Sequence, residues 1–368
     1  MNCEYFSLCG SCKIYDKSYK EQLAEKISFM KEFFKEFGIE KFEIFESKES
    51  RFRDRAEFRI IHQNGSISYA MHKLKEKGLL PVKECQIVND KIYETMPVLK
   101  REIEKSPLLK EKLFTVEFLS CGAKDLLITL IYHKKIGKEW EEEAKKLSET
   151  LSSPIIGRSK KIKIVLEREF IEERLNIEGK EYRYRYFENS FTQPNSSVNE
   201  KMIGWAKKHS KNLNGDLLEL YCGHGNFTIP LSENFQKVLA TEISKTSIKS
   251  AKINCRLNGV ENIEFVRLSS EELISALKKE REFRRLKEIN IFDFDFTTVF
   301  VDPPRAGLDE KTAQFIKNFQ NIIYISCNPK TLKRDLLNLK GFKIEKFALF
   351  DQFPYTNHIE SGVLLKKE

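Results

Sequence analysis

Strand-like runs alternate with helical segments after about residue 197, and this alternation constrains the fold more than any other feature of the chain. The runs cover residues 216–221, 237–241, 262–266, 298–301, 321–326 and 342–350. Such alternation is typical of parallel strands, which need helical crossovers between them. The sequence therefore predicts an α/β fold, with a doubly wound, Rossmann-like domain over residues 197–368.

The first 196 residues follow a different pattern. Leu23, Ile27, Met30, Phe34 and Phe37 recur at helical spacing and Gly38 follows them, which predicts an amphipathic helix near residues 17–37 within an N-terminal, cysteine-containing segment, residues 1–44.

From residue 45 to 196 the pattern has period two and includes Asn64-Gly65, a strong hairpin signal. Helical stretches near residues 90–104 and 138–151 interrupt it, so an α+β domain is expected there.

Composition narrows the class of protein. The 368 residues are enough for about two domains, and no apolar run reaches the roughly 18 residues of a membrane span. A soluble cytoplasmic protein without membrane association is expected, and its eight cysteines are not expected to form structural disulfides. The net charge of +9 favours a polyanionic partner, but weakly, because 64 basic residues stand against 55 acidic ones.

An apolar run leads into a glycine turn, Gly223-His224-Gly225, and then into a helix. Glycines allow positive φ and close approach of the backbone to a ligand. Thr228 replaces the third glycine of the dinucleotide fingerprint, so the turn supports NAD only weakly. Glu242 ends the next strand, where a carboxylate can accept hydrogen bonds from both ribose hydroxyls of an adenosine ligand; the alternative is an exposed acidic residue at a helix start.

Two further motifs follow strand ends in the same segment. Asp302-Pro-Pro-Arg305 forms a rigid turn that can direct a carboxylate at a planar heterocycle. Cys327 stands in the sequence SCNP after another strand. A lone cysteine is most simply a small buried apolar residue, but the carboxyl ends of open α/β strands carry reactive groups. Together the three motifs predict a reactive thiol beside a bound ligand.

Five ordered motifs resemble the S-adenosylmethionine-dependent RNA uracil-5-methyltransferases, and most closely the tRNA (uracil-5-)-methyltransferase branch. They are residues 188–195 (ENSFTQPN), 218–226 (LELYCGHGN), 300–305 (FVDPPR), 325–329 (ISCNP) and 351–360 (DQFPYTNHIE). Residues 52–59 (FRDRAEFR) and 132–135 (YHKK) extend the likeness over nearly the whole chain.

The resemblance implies a reaction. Uracil C5 is a weak carbon nucleophile, so a thiolate must first add to C6, and Cys327 matches that nucleophile. Glu360 stands where the family places the base that removes the C5 proton. His358 either assists or packs. Five residues match the cofactor-pocket positions: Gln193, Tyr221, Asn226, Glu242 and Asp302.

The implied substrate is the T-loop uridine, position 54, in the T arm of tRNA, giving 5-methyluridine. Two alternatives stay open. One is an rRNA uracil-5-methyltransferase, and the RNA partners left open beside tRNA are tmRNA and rRNA. The other is an RNA-binding folding factor that remodels the T arm without methylating it. No obligate protein partner is implied, and residues 45–196 are expected to bind the RNA.

Four cysteines suggest a metal site. Cys3, Cys9 and Cys12 are closely spaced, and Cys85 follows in the sequence KECQ. Four thiolates suit zinc or an iron–sulfur cluster, and spacing alone does not choose. The pattern resembles the [4Fe–4S] site of the rRNA branch, apart from Ser11, where that branch usually has glycine. Members of the tRNA branch often lack these cysteines, so an empty set is the third interpretation. Cys121, Cys222 and Cys255 most simply pack as apolar residues.

Two segments are candidates for RNA contact. Arg51, Arg53, Arg55 and Arg59 occupy alternate positions of an expected strand, with Glu57 interrupting the row, and arginines on one face can neutralise phosphates. Residues 182–187 (YRYRYF) alternate tyrosine with arginine, as in base-stacking surfaces and also in half-buried strands. The strand interpretation is favoured for this second segment.

Overall fold

The first helix confirms the prediction from the apolar stripe. In the computed structural model, which describes residues 1–122 and 125–368, helix α1 spans Tyr19–Phe33. A capping box starts it: the Ser18 side chain accepts from the Glu21 amide, and the Glu21 carboxylate accepts from the Ser18 amide. A short 3-10 turn, Lys35–Phe37, follows and ends at Gly38, whose φ of 68° is left-handed.

A mostly antiparallel sheet of seven strands forms the centre of the first half of the chain. The elements that follow α1 are β1 (Glu43–Phe45), β2 (Arg55–Gln63), β3 (Ser66–His72), β4 (Leu79–Val82), α2 (Asp90–Lys105), α3 (Pro107–Lys110), β5 (Leu113–Ser120), β6 (Leu126–Tyr132), α4 (Lys138–Leu151), β7 (Ile155–Ser159) and β8 (Ile162–Val165). The sheet order is β4-β3-β2-β5-β6-β7-β8. Helices α2 and α4 share one apolar core with this sheet.

The predicted hairpin and both predicted helices of this half are confirmed. Asn64 and Gly65 connect β2 to β3 with φ of 50° and 77°, the pair of left-handed residues that a tight hairpin turn needs. Helices α2 and α4 cover the two stretches expected from periodicity. The observed elements therefore form the expected α+β arrangement.

A separate two-stranded hairpin links this sheet to the second half of the chain. Strands β9 (Phe170–Ile177) and β10 (Lys180–Phe187) pair antiparallel along their whole length. Tyr182, Tyr184 and Tyr186 are buried, so the strand interpretation of the alternating segment is confirmed. Their rings belong to the same apolar cluster as the core of the C-terminal sheet.

The C-terminal half is a mixed, largely parallel sheet. Its elements are α5 (Ser196–Ser210), β11 (Asp216–Leu220), α6 (Thr228–Leu231), β12 (Val238–Thr241), α7 (Lys245–Leu257), β13 (Ile263–Val266), α8 (Ser270–Leu277), β14 (Phe296–Val301), α9 (Glu310–Phe315), β15 (Asn321–Ser326), α10 (Pro329–Asn338), β16 (Phe342–Phe350) and β17 (Glu360–Lys367). The order is β1-β16-β17-β15-β14-β11-β12-β13. The expectation of a Rossmann-like α/β fold is confirmed.

Two elements of this sheet were not expected from the sequence. Strand β17 inserts antiparallel between β15 and β16, and β1 adds to the edge as a parallel partner of β16. No helix separates β16 from β17, so the alternation of strands and helices gives no signal for β17. Apolar clusters cover both faces of the sheet, and α1 packs in the cluster that contains Phe34 and Phe347.

The strand order turns around at the centre of the sheet. From β11 the chain proceeds outward to β12 and β13, then crosses back to β14 on the other side. The carboxyl ends beside such a reversal open a crevice in which α/β proteins bind ligands. Within the described part of the chain, no helix is both long and apolar enough to cross a bilayer.

Candidate active site

The glycine turn lies at the carboxyl end of β11, beside the point where the strand order reverses. Gly223 and Gly225 both have positive φ, 55° and 85°. A Cβ on Gly225 would lie 3.2 Å from the Ile229 side chain, whereas one on Gly223 would meet nothing within 4 Å. Gly225 therefore permits close packing onto the following helix, and Gly223 faces open space where a ligand can approach the backbone.

Glu242 joins this turn to the next strand and helix. Its carboxylate accepts from the Gly223 amide at 3.2 Å and from the Ser244 amide at 2.8 Å. Glu242 therefore contacts the start of α7, as expected of an acidic residue at a helix start. It also contacts the glycine turn, near which the adenosine alternative needs a carboxylate. The exposed Ile243 follows Glu242 in the chain.

Asn226 is held by a residue that the sequence did not indicate. The side chains of Asn226 and Asn199, on α5, exchange two hydrogen bonds of 2.9 Å each. Tyr184 donates to the Asn226 carbonyl at 3.1 Å. No motif singles out Asn199, because its proximity to the turn depends on the packing of α5 against the sheet.

Gln193 is paired with a residue from the last predicted motif. Gln352 Nε2 donates to Gln193 Oε1 at 2.9 Å, joining two segments that are distant in the chain. The Gln352 Oε1 atom is buried without a hydrogen-bond partner among the described residues. Gln352 belongs to the motif DQFPYTNHIE, which is the one sequence feature that pointed to it. Its contact with Gln193 is visible only in the fold.

Asp302 and Tyr221 complete the cofactor set expected from the resemblance. Tyr221 directly follows β11 in a left-handed conformation, φ 63°, and burial raises the pKa of its hydroxyl. Asp302 directly follows β14, and burial raises the pKa of its carboxyl to about 7. The parallel register of β11 and β14 brings these two strand ends to the same edge.

Polar atoms buried near the turn suit a polar cofactor. His224 Nε2 has no hydrogen-bond partner among the described residues, and the Thr228 hydroxyl lies within reach of the buried Glu219 carboxyl. Burial lowers the pKa of His224 to about 4, so its ring is neutral and its free nitrogen is available to accept or donate one hydrogen bond. The residues present therefore fit an adenosine-type ligand with polar substituents.

Cys327 lies between the end of β15 and the start of α10. Asn328 caps the helix by accepting from the Lys330 amide at 3.1 Å. Burial, together with the charges of Glu360 and Asp302, raises the pKa of the Cys327 thiol to about 12, and Arg305 opposes this rise. The thiol is therefore protonated at neutral pH in the ligand-free protein.

Glu360 faces the same end of the sheet as Cys327. The antiparallel register pairs Ser326 with Ser361, so the residue after Ser326 lies opposite Glu360. Burial raises the pKa of the Glu360 carboxyl well above its usual value, and the nearby Asp302 adds to this effect. A thiol and two carboxyl groups thus share one small region, as the sequence motifs predicted.

His358 lies on the loop before Glu360. Its ring contacts Phe353 with centroids 5.6 Å apart. Burial lowers its pKa, and the cations Arg305, Lys13 and Lys26 lower it further. The neutral ring is thus available for packing or for a hydrogen bond.

The four cysteines of the expected metal site lie near one another in the fold. Burial raises the pKa of Cys85 to about 11, with contributions from Cys9 and Cys3. Burial also raises the pKa of Cys12, and the other three thiols add to it. Even so, no group of three or more His, Cys, Asp or Glu side chains in the described residues is arranged to hold a metal ion. The iron–sulfur interpretation stays a prediction from the sequence alone.

The expected row of arginines is wrong in its first half. Strand β2 begins only at Arg55, and Arg51 has a left-handed φ of 57° that an extended strand does not contain. The Arg51 guanidinium carbon lies 3.2 Å from the centroid of the Tyr93 ring. Arg53 Nε donates to the Arg55 carbonyl at 2.9 Å. Arg55 donates to the carbonyls of Ser190 and Glu188. These guanidinium groups therefore hold the protein's own segments together.

Comparison with known proteins places this geometry in a family. The family model described as tRNA (Uracil-5-)-methyltransferase matches residues 18–368. The chain belongs to this family. The resemblance of the five motifs is thereby confirmed.

Relatives of the tRNA (uracil-5-)-methyltransferase family are similar over the full length of the chain. A protein of Aliarcobacter butzleri named tRNA/tmRNA (uracil-C(5))-methyltransferase is 54% identical over 373 residues, covering 100% of this chain and 99% of the relative. A protein of the same name from a Nitratiruptor species is 52% identical, covering 100% of both chains. The family assignment therefore applies to both halves of the structure.

A solved structure has the same fold. It is the Pyrococcus abyssi tRNA (uracil-54, C5)-methyltransferase in complex with S-adenosyl-L-homocysteine, which matches with a TM-score of 0.72 at 22% identity. The match covers 94% of this chain and 83% of the other. The protein therefore has the same fold as the Pyrococcus abyssi enzyme.

Proposed function

We propose that this protein transfers a methyl group from S-adenosylmethionine to C5 of uridine 54 in the T loop of tRNA. The observation that carries the proposal is the placement of Cys327 beside Glu360 and Asp302, at the carboxyl edge of a Rossmann-like sheet, in a member of this family. tmRNA is proposed as a second substrate because the names of the relatives include it.

Five residues would hold the cofactor: Gln193, Tyr221, Asn226, Glu242 and Asp302. Bound S-adenosylmethionine supplies an electrophilic methyl group. The contacts of Gln193 with Gln352 and of Asn226 with Asn199 keep two of these amides in fixed orientations before any ligand arrives. Glu242, held by the backbone of the turn, keeps its carboxylate at the strand end where ribose hydroxyls bind.

Cys327 is proposed as the nucleophile. Its sulfur forms a bond to C6 of the uracil while the C5–C6 double bond shifts electron density to C5 and O4. C5 can then take the methyl group, which a uracil ring does not do unaided. The thiol must lose its proton first, and the nearby Arg305 favours the thiolate.

Glu360 is proposed as the base of the final step. After methyl transfer C5 carries both a methyl group and a proton. A Glu360 carboxylate takes that proton, the C5–H electrons reform the C5–C6 double bond, and the Cys327 thiolate leaves. Because burial favours the neutral form of Glu360, its carboxylate is a stronger base than an exposed one.

We also propose separate roles for three segments of the chain. Residues 45–196 bind the RNA, residues 197–368 carry the chemistry, and residues 1–44 brace the site through α1 and β1. The uracil has to leave its stack, because the thiol needs access to one face of the base.

Nucleoside analysis by mass spectrometry tests the function. Purified protein, S-adenosylmethionine and unmodified tRNA should give 5-methyluridine, and the Cys327→Ala variant should give none while still binding tRNA. The Cys255→Ala variant, which alters a cysteine outside the candidate site, should keep its activity. Methylation of an rRNA fragment in preference to tRNA would favour the first alternative, and T-arm remodelling without any 5-methyluridine would favour the second.

A further inference from the structure

Asp54 is a buried carboxyl group in the motif FRDRAEFR that the proposed function does not use. It directly precedes Arg55, where β2 begins, and only 8% of its surface is exposed. Its amide donates to the Pro194 carbonyl at 2.8 Å, and its Oδ2 atom accepts from the Ser196 amide at 2.7 Å. Asp54 therefore holds the chain at two points immediately after the candidate cofactor residue Gln193.

The segment that carries Gln193 has a second anchor in the same motif. The Arg55 guanidinium donates to the Ser190 carbonyl at 2.7 Å and to the Glu188 carbonyl at 3.1 Å. Two consecutive residues, Asp54 and Arg55, thus fix the segment after and before residues 191–193. The backbone of Gln193 is therefore held by the sheet of the first half of the chain, which is a role that the sequence motif by itself does not indicate.

The Asp54 carboxyl group is itself oriented by two further elements. Its Oδ1 atom accepts from Asn89 Nδ2 at 2.9 Å, and Asn89 Oδ1 caps α2 by accepting from the Ile92 amide at 3.0 Å. The Asp54 carbonyl accepts from the Ser120 amide at 2.7 Å, at the end of β5. Because α2 and β5 fix its geometry, Asp54 can position the segment that it contacts.

We propose that Asp54 is a positioning residue for the cofactor: it sets the backbone of residues 194–196 and thereby aims the Gln193 amide into the candidate cofactor pocket. This inference rests on the proposed function and deepens it, because it gives the cofactor pocket a support from the half proposed to bind RNA. Asp54 acts through Gln193 and not by contact with a ligand. Displacement of a positioned group by about 1 Å can slow a reaction about 100-fold.

The variant Asp54→Asn tests the inference. It keeps the size of the side chain but leaves one acceptor oxygen, so position 54 can no longer accept from both Ser196 and Asn89. The dissociation constant for S-adenosylhomocysteine, measured by calorimetry on the ligand-free protein, should rise about tenfold. The kcat/KM for S-adenosylmethionine should fall by at least the same factor, while the dissociation constant for tRNA should stay unchanged.

An exchange of the two side chains should restore the cofactor site. In the double variant Asp54→Asn with Asn89→Asp, the amide at position 54 donates to the carboxylate at position 89 and its oxygen still accepts from the Ser196 amide. Aspartate is as good a helix cap as asparagine, so α2 keeps its start. Both cofactor constants should return towards the wild-type values.

Asp216→Asn is the matched control for lost stability. Asp216 is also a buried carboxyl group that accepts from two backbone amides, those of Lys237 at 2.9 Å and Asp295 at 2.8 Å. It begins β11, at the opposite end of that strand from the glycine turn. This variant should unfold at a lower urea concentration than the wild type and should leave both cofactor constants unchanged.

A double-mutant cycle asks whether Asp54 acts through Gln193. If it does, Asp54→Asn should change the affinity for S-adenosylhomocysteine little in a Gln193→Ala background, because the group that it positions is already gone. If Asp54→Asn does not fold, Asn89→Ser replaces it. That variant keeps a cap for α2 but withdraws the donor to Asp54 Oδ1, and it should weaken the affinity in the same direction.

Wild-type cofactor constants in Asp54→Asn or, if that variant does not fold, in Asn89→Ser would overturn the inference. So would an equal loss in Asp216→Asn, no recovery in the exchange variant, or additive losses in the cycle with Gln193→Ala. Each of these outcomes leaves the proposed function intact, as long as the wild-type protein forms 5-methyluridine. A wild-type protein that neither binds S-adenosylhomocysteine nor methylates tRNA would contradict both.

Discussion

Lys26 and Asp351 form a buried ion pair, Nζ to Oδ1 at 2.6 Å, between α1 and the end of β16. Lys26 also donates to the Phe353 carbonyl at 3.0 Å, and Gln22 accepts from the Tyr355 amide at 2.6 Å. Helix α1 thus holds the loop that leads to Glu360. An N-terminal helix therefore supports the candidate base from more than 300 residues away in the chain.

Replacing Lys26 should destabilise the protein strongly. The Lys26→Met change leaves Asp351 as an uncompensated buried charge, and such changes cost about 3–5 kcal/mol. Urea unfolding should show this loss, and the double variant Lys26→Met with Asp351→Asn should recover much of it. The exposed pair Lys35 and Glu32 is the control, because breaking it should cost at most about 1 kcal/mol. A loss for Lys26→Met no larger than this control would contradict the prediction.

Replacing Glu360 should arrest the reaction after methyl transfer. Glu360→Gln cannot take the C5 proton, so the Cys327–C6 bond persists and a covalent protein–RNA adduct accumulates. Denaturing gel electrophoresis with labelled tRNA should reveal this adduct, and Cys327→Ala should abolish it. Wild-type protein with 5-fluorouridine tRNA should form a similar adduct, because fluorine cannot leave as a cation. Normal turnover by Glu360→Gln would rule out its role as the base.

The rate should rise with pH across the neutral range. The Cys327 thiol has a pKa of about 12, so its reactive thiolate fraction increases with pH, by about tenfold per unit. Ionisation of Glu360, whose pKa is also raised, acts in the same direction. Initial rates at limiting tRNA should therefore increase from pH 6.5 to 9. A rate that is flat or falling over this range would mean that neither group limits the reaction.

Removing the Asn199 side chain should weaken cofactor binding, although Asn199 is not one of the five residues proposed to hold the cofactor. Asn199→Ala leaves the Asn226 side chain without its partner, and a lost buried hydrogen bond costs about 1–2 kcal/mol. The dissociation constant for S-adenosylhomocysteine should rise about tenfold. The control Asn258→Ala removes hydrogen bonds to the Arg183 backbone instead and should leave the affinity unchanged. Equal affinities for the two variants would contradict the role of Asn199.

Local patterns were sufficient to predict much of the molecule. Apolar strands between helices determined the Rossmann-like half, and strands β15 and β16 have the bounds expected from their hydrophobic runs. Glycines in a strand-to-helix turn indicated the ligand crevice, since few other residues adopt the conformation found at Gly223 and Gly225. These features depend on near neighbours in the chain, which a sequence displays directly.

Only the tertiary structure decided which distant groups meet. Asn199 reaches Asn226, Gln352 reaches Gln193, and Lys26 reaches Asp351 through packing between elements that no local pattern relates. The same holds for protonation: Glu219 and Cys327 have raised pKa values because the fold buries them near other carboxyl groups. The sequence determined the kinds of chemical group available, and the fold determined their partners and charges, because burial and long-range contacts arise only when the whole sheet assembles.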